Sequence, residues 1–421
     1  MFLLTSPLNV YGLGSGAFNY RFSRIFLVLT FISIVIERLA KMRPLFFRLL
    51  PVEYLFGIYC YLVLLRAFYI SNTGAFITKF FGLLECFMIL YVIRIFTREE
   101  GCWLKSVQIY LLSSIPVLLV SLCQIINTMH GNFYESILPF PSIQLLERYD
   151  TLRQFGHFGG IIEGATRISS TFGEPNMMAG YCSSLIPYAI AVVLINIKGR
   201  NTQIRSFLNM FILFGLAAMV IATISKSGFL AMVVGILFTL AFTLNKLTAK
   251  QRICTCVVLM VILTICLFYG FQVKDLILER LEAGDSGHLM HRIEAWNYYI
   301  NGRPLLGVGF GQYVHLSSHT IVLTALLELG LLGGIIILLI TVQPLTYIKH
   351  LFWLSSKKNR HLPNDYLFLM SASIASYILI LIGLYLYDYW VHPFVWISIS
   401  LFLSSVLYTQ RGRKKGVFEK L

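Results

Sequence analysis

Charge is what this sequence has least of. Only 13% of its 421 residues are charged, and aspartate plus glutamate number 19 against 34 lysines and arginines. With a mean hydropathy of +0.76, the composition excludes an ordinary soluble globular domain. The acidic residues are few and scattered. There is no Asp-x-Asp and no His/carboxylate set spaced to hold a divalent ion. The eight cysteines, at 60, 86, 102, 123, 182, 254, 256 and 266, lie in apolar segments or short loops, which argues against a disulfide framework. Cys254 and Cys256 lack the spacing and companions of a zinc site, and all eight read as small packing residues. Internal repeats and low-complexity segments are also missing. Residues 1–22 hold Pro7, Gly12, Gly14 and Gly16 and have no basic start followed by a clean apolar run, so no cleavable signal peptide is expected.

What is present in quantity is apolar runs of about 20 residues, long enough to cross a ~30 Å hydrocarbon layer as helices. The expected fold is all-α: a polytopic integral membrane protein, one domain over residues 1–421, with about 11 spans. Their centres fall near Thr30, Tyr59, Phe87, Pro116, Tyr188, Leu216, Gly235, Val261, Gly333, Tyr377 and Ser398. The first is the weakest, being interrupted by Glu37 and Arg38, and residues 1–22 would make a twelfth if they span. A β-barrel would show short alternating segments instead.

A net charge of +15 would suggest nucleic acid in a soluble protein. Here topology explains it, because Lys and Arg mark the cytoplasmic side. With the C-terminal tail at 411–421, which opens RGRKKG, in the cytoplasm, the cytoplasmic connectors become 41–48, 94–105, 198–205, 245–252 and 349–361. These and the tail hold 21 of the 34 Lys and Arg residues. The two long connectors, 128–172 and 273–318, then face outward. All other links are short, so these two are the natural place for a site against the membrane surface.

The outer side gathers the polar signatures. Arg167-Ile-Ser-Ser-Thr-Phe-Gly-Glu-Pro-Asn176 leads into a span, with Pro175 suited to a first helical turn. Ser225-Lys226-Ser227-Gly228 puts a cation in a very short outer turn. In the second connector Leu289, Ile293, Trp296 and Ile300 recur at helical spacing, an apolar stripe for the membrane surface or the top of the bundle. His288, Arg292 and Tyr299 lie on a neighbouring face. Asn301-Gly302-Arg303-Pro304 breaks that helix. His319 stands at the mouth of the next apolar run, where Ser317 or Ser318 could cap a helix. Gly330, Gly333 and Gly334 fall about 16 Å or more further down that helix at 1.5 Å per residue and read as close-packing residues.

Helix N-termini favour anions, so these outer starts together with Lys226, Arg292 and Arg167 would suit a pyrophosphate. Each has a plainer reading. Lys226 could snorkel to the headgroups, Arg303 before Pro304 suits loop structure, and a lone His319 could bond water or a backbone carbonyl. Glu85 is the main charged residue seen inside a span, where a hydrogen bond within the bundle would account for it.

Over residues 165–345 the chain resembles the O-antigen ligase-like superfamily, which includes O-antigen ligases and Wzy-type polysaccharide polymerases. Residues 167–176 look like that family's Arg-x-x-Gly-Thr-Phe-x-x-Pro-Asn element, and residues 225–228 like its Ser-Arg-Gly turn. Arg292 to Trp296, Pro304 to Gly311, and His319 with Gly330 and Gly333 look like its large outer loop and its His-(Asn/Ser)-x9-Gly-x-x-Gly signature. This sequence departs from the pattern at Ser170 (usually Gly), Lys226 (usually Arg) and Thr320 (usually Asn or Ser). Lys gives a point charge without the bidentate fork of Arg.

The resemblance implies a GT-C-like fold in the bacterial inner membrane, with its active site at the periplasmic face. The implied reaction is metal-independent glycosyl transfer from undecaprenyl pyrophosphate, with no cofactor and no nucleotide sugar. Catalytic roles would fall to His319 and Arg292, and donor binding to Lys226, Arg167, Asn176 and Arg303. The acceptor would be a second lipid-linked glycan for a polymerase or lipid A-core for a ligase. A flippase and a chain-length regulator are the protein partners such an enzyme would have. Nucleic acid is not expected. A transporter of lipid-linked sugars, the reading from another class, predicts mid-span charges, repeat symmetry and broken helices.

Overall fold

The computed structural model describes residues 3, 12–13, 20–43, 50–97, 102–129, 161–162, 165–166, 168, 170–172, 175–198, 203–223, 225–243, 247, 249, 252–253, 264, 286–302, 304–312, 320–349, 364–386 and 392–414. The fold there is helical. The main helices are α1 (Phe22–Ala40), α2 (Pro51–Arg66), α3 (Thr73–Phe96), α4 (Cys102–Leu112), α5 (Ser114–Met129), α6 (Pro175–Lys198), α7 (Gln203–Ala222) and α8 (Lys226–Thr243), followed by α9 (Ser286–Asn301), α10 (Ile321–Val342), α11 (Asn364–Leu386) and α12 (Pro393–Lys414). Two-residue strands add two small antiparallel pairs, Gly12–Leu13 with Tyr20–Arg21 and Ile161–Ile162 with Ala165–Thr166.

Ten of the eleven expected span centres lie on these helices, and Val261 lies outside the described residues. Among the described residues, six stretches are long and apolar enough to cross a membrane: Pro51–Tyr69, Thr73–Phe96, Cys102–Ile126, Pro175–Asn196, Ile321–Lys349 and Asp365–Tyr385. That marks a multi-pass membrane protein. Burial sorts them. The windows in α6 and α11 are 89% buried, whereas that of α2 is 22% buried, so α6 and α11 form the centre and α2 the edge. On the outer half-surface of α2, Tyr54, Ile58, Tyr61, Leu64 and Leu65 stand exposed. An apolar face of that kind suits lipid rather than water.

Helices α6, α8 and α11 pack on one another, α7 lies against α6, and α12 joins α11 to α3. Small polar residues allow these close approaches. Buried Ser371, Ser373, Ser400 and Ser404 each donate to a carbonyl four residues back, so their hydroxyls cost little in an apolar interior. Tyr377 stacks on Phe402 at 4.6 Å and donates to the Thr341 carbonyl at 2.5 Å.

The helix ends sort into two groups. Glu53, opening α2, pairs with Arg94 near the end of α3, and Thr97 meets Ser404 at 2.6 Å. At the other end the α2–α3 turn touches the 304–312 segment, and Asn176 meets Ser225.

Helix α10 departs from expectation. Gly330 does not sit in continuous helix: its φ of 70° and ψ of −164° interrupt α10 about two turns in. The connector segment 304–312 fills the break. Val308 N–H donates to the Leu327 carbonyl at 2.8 Å, Gly309 N–H to that of Glu328 at 2.9 Å, and Leu331 N–H to that of Pro304 at 2.9 Å. Inside an apolar layer a helix break is tolerable only when its freed backbone groups are met in this way. Gly307 (φ 67°) and Gly330 permit the approach, since a Cβ on Gly330 would stand 2.2 Å from the Leu305 carbonyl oxygen. A Cβ on Gly333 would meet Leu329 and Ala325, and one on Gly334 would meet Leu326, all residues of α10 itself.

Gly330→Ala is expected to cost about 3 kcal/mol or more, since it joins a strained φ to a backbone overlap. Gly57→Ala in α2, with nothing within 4 Å of the added carbon, should be neutral or slightly stabilising. Thermal unfolding of both variants in detergent checks the contrast; equal midpoints would show that the break at Gly330 is not required.

Candidate functional site

The junction of α5, α6 and α7 begins with a buried segment that includes a 3-10 turn at Ser170–Phe172. Ile168 donates to the Ala222 carbonyl at 3.2 Å, and Ser170, Thr171 and Phe172 are almost wholly buried. Phe172 sits 4.9 Å from the Tyr181 ring and 6.1 Å from that of Phe394, which plugs the segment into the bundle. Ser170 has φ 50°, the left-handed region that favours glycine. Its side chain and N–H offset that strain: the hydroxyl donates to the Val117 carbonyl at 2.7 Å and the N–H to Gln124 Oε1 at 2.8 Å.

Asn176, in the first turn of α6, accepts from the Ser225 hydroxyl at 3.0 Å. That same hydroxyl accepts from Gly228 N–H at 3.3 Å, so Ser225 caps α8 and Lys226 is its first residue. Gly228 brings the two helix starts together. A Cβ there would lie 2.4 Å from the Ala179 Cβ, and Ser183 donates to the Gly228 carbonyl at 3.0 Å. A narrow crevice between α6, α8 and α11 is lined by Asn176, Ser183, Ser227 and Gly228 toward its polar end and by Leu379 and Ile380 toward its apolar end. Two helix N-termini with serine and asparagine between them make a donor-rich, electropositive corner.

Arg292 lies on α9, partly buried. The helix spans Ser286–Asn301, matching the expected stretch and its break before Pro304. It is the face of Ala295 and Tyr299 that packs on α10, against Leu323, Leu326 and Leu327. Ile293, Trp296 and Ile300 of the apolar stripe remain about half exposed, the disposition of a helix lying in a membrane interface rather than under a bundle top. Tyr299 hydroxyl donates to the Pro304 carbonyl at 2.9 Å, joining α9 to the segment that seals the α10 break.

That segment is held from three sides. Arg66 Nη2 donates to the Gly307 carbonyl at 2.9 Å. Gln312 Oε1 accepts from the Ser71 hydroxyl and from Asn72 N–H at 2.9 and 2.7 Å, and Gln312 Nε2 donates to the Asn72 carbonyl. Glu328 Oε1, on a side chain only 1% exposed, pairs with Lys79 Nζ at 2.6 Å and accepts from Gly311 N–H at 2.9 Å. Lys79 also lies over the Phe310 ring, 5.3 Å from its centroid.

The structure thus joins Asn176 to the Ser225–Gly228 turn and sets Arg292 on α9 against α10, which in turn touches α11. Arg167, Arg303, His319 and the Lys226 side chain lie outside the described residues. The cap of α10 is Thr320, whose side chain accepts from Leu323 N–H at 3.2 Å, and not Ser317 or Ser318. His319 therefore immediately precedes the cap in sequence. Among the described residues no cluster of three His, Cys, Asp or Glu could hold a metal. Glu85 pairs with Arg24 at 2.9 Å. Sequence reasoning passed over Lys79 and Glu328. The signal was there in the one acid of an otherwise apolar helix, two residues before Gly330, and in the alternating glycines 307, 309 and 311. No protein-family model matches the chain, and no curated protein matches it either.

Ser170→Gly should retain more stability than Ser170→Ala by about 1–2 kcal/mol, because both lose the hydroxyl bond but only glycine relieves the left-handed backbone. Denaturation of the two variants side by side measures it; an alanine variant as stable as the glycine one would show the conformation to be unstrained.

Proposed function

We propose that the chain is a membrane glycosyltransferase of bacterial surface-polysaccharide assembly, polymerising oligosaccharide units carried on undecaprenyl pyrophosphate. In this reading it is a GT-C-like protein of 11 spans, or 12 if residues 1–22 cross. Its C-terminus is cytoplasmic and its site faces the periplasm from the inner membrane. The observation that carries the reading is the meeting of the α6 and α8 starts, where Asn176 binds Ser225 beside Lys226. Such a corner suits the pyrophosphate of a donor that stays in the membrane.

Further support comes from backbone conformation at the positions of the resemblance. Ser170 stands left-handed where the family pattern has Gly. Thr320 caps α10 where the pattern has Asn or Ser, all three being cap residues. The first glycine of the signature, Gly330, is the one that breaks the helix.

In the reaction the C1–O bond to the pyrophosphate breaks as the acceptor hydroxyl oxygen bonds C1. The released charge stays on undecaprenyl pyrophosphate, offset by Arg292 and Lys226, with Arg167 and Arg303 as further contacts. His319 orients the acceptor hydroxyl or takes its proton, tasks that suit an imidazole at neutral pH. No metal or cofactor takes part. Flippase and chain-length regulator are the partners of such an enzyme.

Ligation to lipid A-core uses the same donor site and is the alternative acceptor chemistry. Deleting the gene separates the two. A single repeat unit still attached to core means polymerase, and lipid-linked polymer with no attachment means ligase. Transport of a lipid-linked sugar gains one observation, the broken α10 with its buried ion pair, a feature of transporters. There, however, the irregular backbone lines a cavity, whereas here residues 304–312 of the chain itself occupy the break.

His319→Ala should abolish polymer formation in cells while protein level and donor binding persist. Arg292→Lys should lower turnover at least ~10-fold, since the bidentate fork is lost. Polymer of normal length and amount in either variant removes that residue from the chemistry.

A further inference from the structure

Lys79 and Glu328 belong to neither helix start of the pyrophosphate corner, yet they occupy the point where three parts of the fold meet. Glu328 lies in the upper half of α10, one residue after Leu327, which packs on Ala295 of α9. Its Oε1 holds Lys79 of α3 at 2.6 Å and the Gly311 N–H at 2.9 Å. The Lys79 ammonium also rests over Phe310, a ring buried against Tyr59 and Phe76. The half-helix from Ile321 to Leu329 is separated from the rest of α10 by the break at Gly330. Its position is therefore set from outside, by this pair and by the loop, rather than by continuity of the helix below.

We infer that Lys79 and Glu328 are positioning residues that fix the half-helix Ile321–Leu329 with α9, and so set where Arg292 stands relative to the Asn176–Ser225 corner. This rests on the proposed glycosyl transfer for its consequence, though not for its mechanics. A buried carboxylate with an ammonium on one side and an amide on the same oxygen is a directional contact. Moving the half-helix away from α3 would leave both charges poorly solvated, so the pair opposes that displacement. Once the pair is removed, α9 and the half-helix can shift together, because Ala295, Leu323 and Leu327 still hold them to each other. Arg292 would then meet the leaving group in a displaced geometry. Displacement of about an ångström costs chemistry far more than it costs binding.

The test uses full-length protein in lipid nanodiscs, with Glu328→Gln, Lys79→Met and Lys79→Arg. Glu328→Gln keeps an acceptor for Gly311 N–H and removes only the charge, so it is the variant most able to fold. Two readouts are needed. In amide hydrogen exchange, Glu328→Gln should speed exchange in residues 286–301 and at Val308, Gly309 and Gly311, with α6, α8 and α11 unchanged. In transfer assays with a polyprenyl-pyrophosphate-linked oligosaccharide, kcat should fall by ~10–100-fold with donor KM within threefold, and Lys79→Arg should recover most of the rate that Lys79→Met loses. Unchanged exchange in 286–301 overturns the inference. So does raised exchange with an unchanged kcat, or a loss confined to KM. If the wild-type protein transfers no glycan, the proposed function fails, and the exchange data alone decide whether the pair holds α9 in place.

Discussion

A helix that breaks inside an apolar bundle leaves amides and carbonyls that must find partners, and one end of this bundle is arranged around meeting that requirement at Gly330. The partners come from residues 304–312, which precede α10 in the chain and bond the backbone on both sides of the break. That segment is in turn held by Arg66, by Gln312 against the α2–α3 turn, and by Glu328 with Lys79. The result is a link between α3, α9 and α10, joined to α10 by backbone hydrogen bonds and to α3 and α9 by side-chain ones, and shaped by four glycines with positive φ at 307, 309, 311 and 330. Helix α9 is suspended from this link through Tyr299 and Ala295.

A second fixed unit stands apart from it. Helices α6, α8 and α11 pack on one another, the apolar windows of α6 and α11 being 89% buried, and the starts of α6 and α8 are pressed together because Gly228 has no side chain. Helix α11 of this second unit also touches α10, and so joins the two. In the proposed reaction the first unit supplies Arg292 and the second supplies the pyrophosphate corner, so catalysis depends on how the two are registered. Division of labour of this kind explains why a chain with few charges spends a buried ion pair on Lys79 and Glu328. Such a pair adds little net stability by itself, but it specifies one position.

The span pattern was legible because hydrophobic length is a strong signal. Ten expected centres lie on helices, and α9 ended where Asn301–Pro304 foretold. Less legible was anything decided by backbone conformation. Gly330, Gly333 and Gly334 read as packing glycines because a run such as Gly-Leu-Leu-Gly-Gly looks the same whether a helix continues or breaks. The partner that makes the break tolerable lies some 20 residues upstream. Ser317 and Ser318 looked like caps, but Thr320 fills that place, since capping depends on which residue leaves helical φ/ψ. The α9 stripe at Ile293, Trp296 and Ile300 was readable as a face. Which face meets protein was not, because Ala295 and Tyr299 are no more apolar than their neighbours. Charge was misjudged for a related reason. Glu85 drew attention by standing in mid-span, while Glu328 was hidden beside a motif read as packing.

The central claim is that this protein makes a glycosidic bond from a lipid-pyrophosphate donor. The most direct measurement is to reconstitute the purified chain in liposomes with one undecaprenyl-pyrophosphate-linked oligosaccharide and to follow the lipid-linked products by mass spectrometry. The account predicts species carrying two or more repeat units, with one equivalent of free undecaprenyl pyrophosphate released for each unit added. Donor that changes leaflet while keeping its single glycan, with no pyrophosphate carrier released, would contradict it.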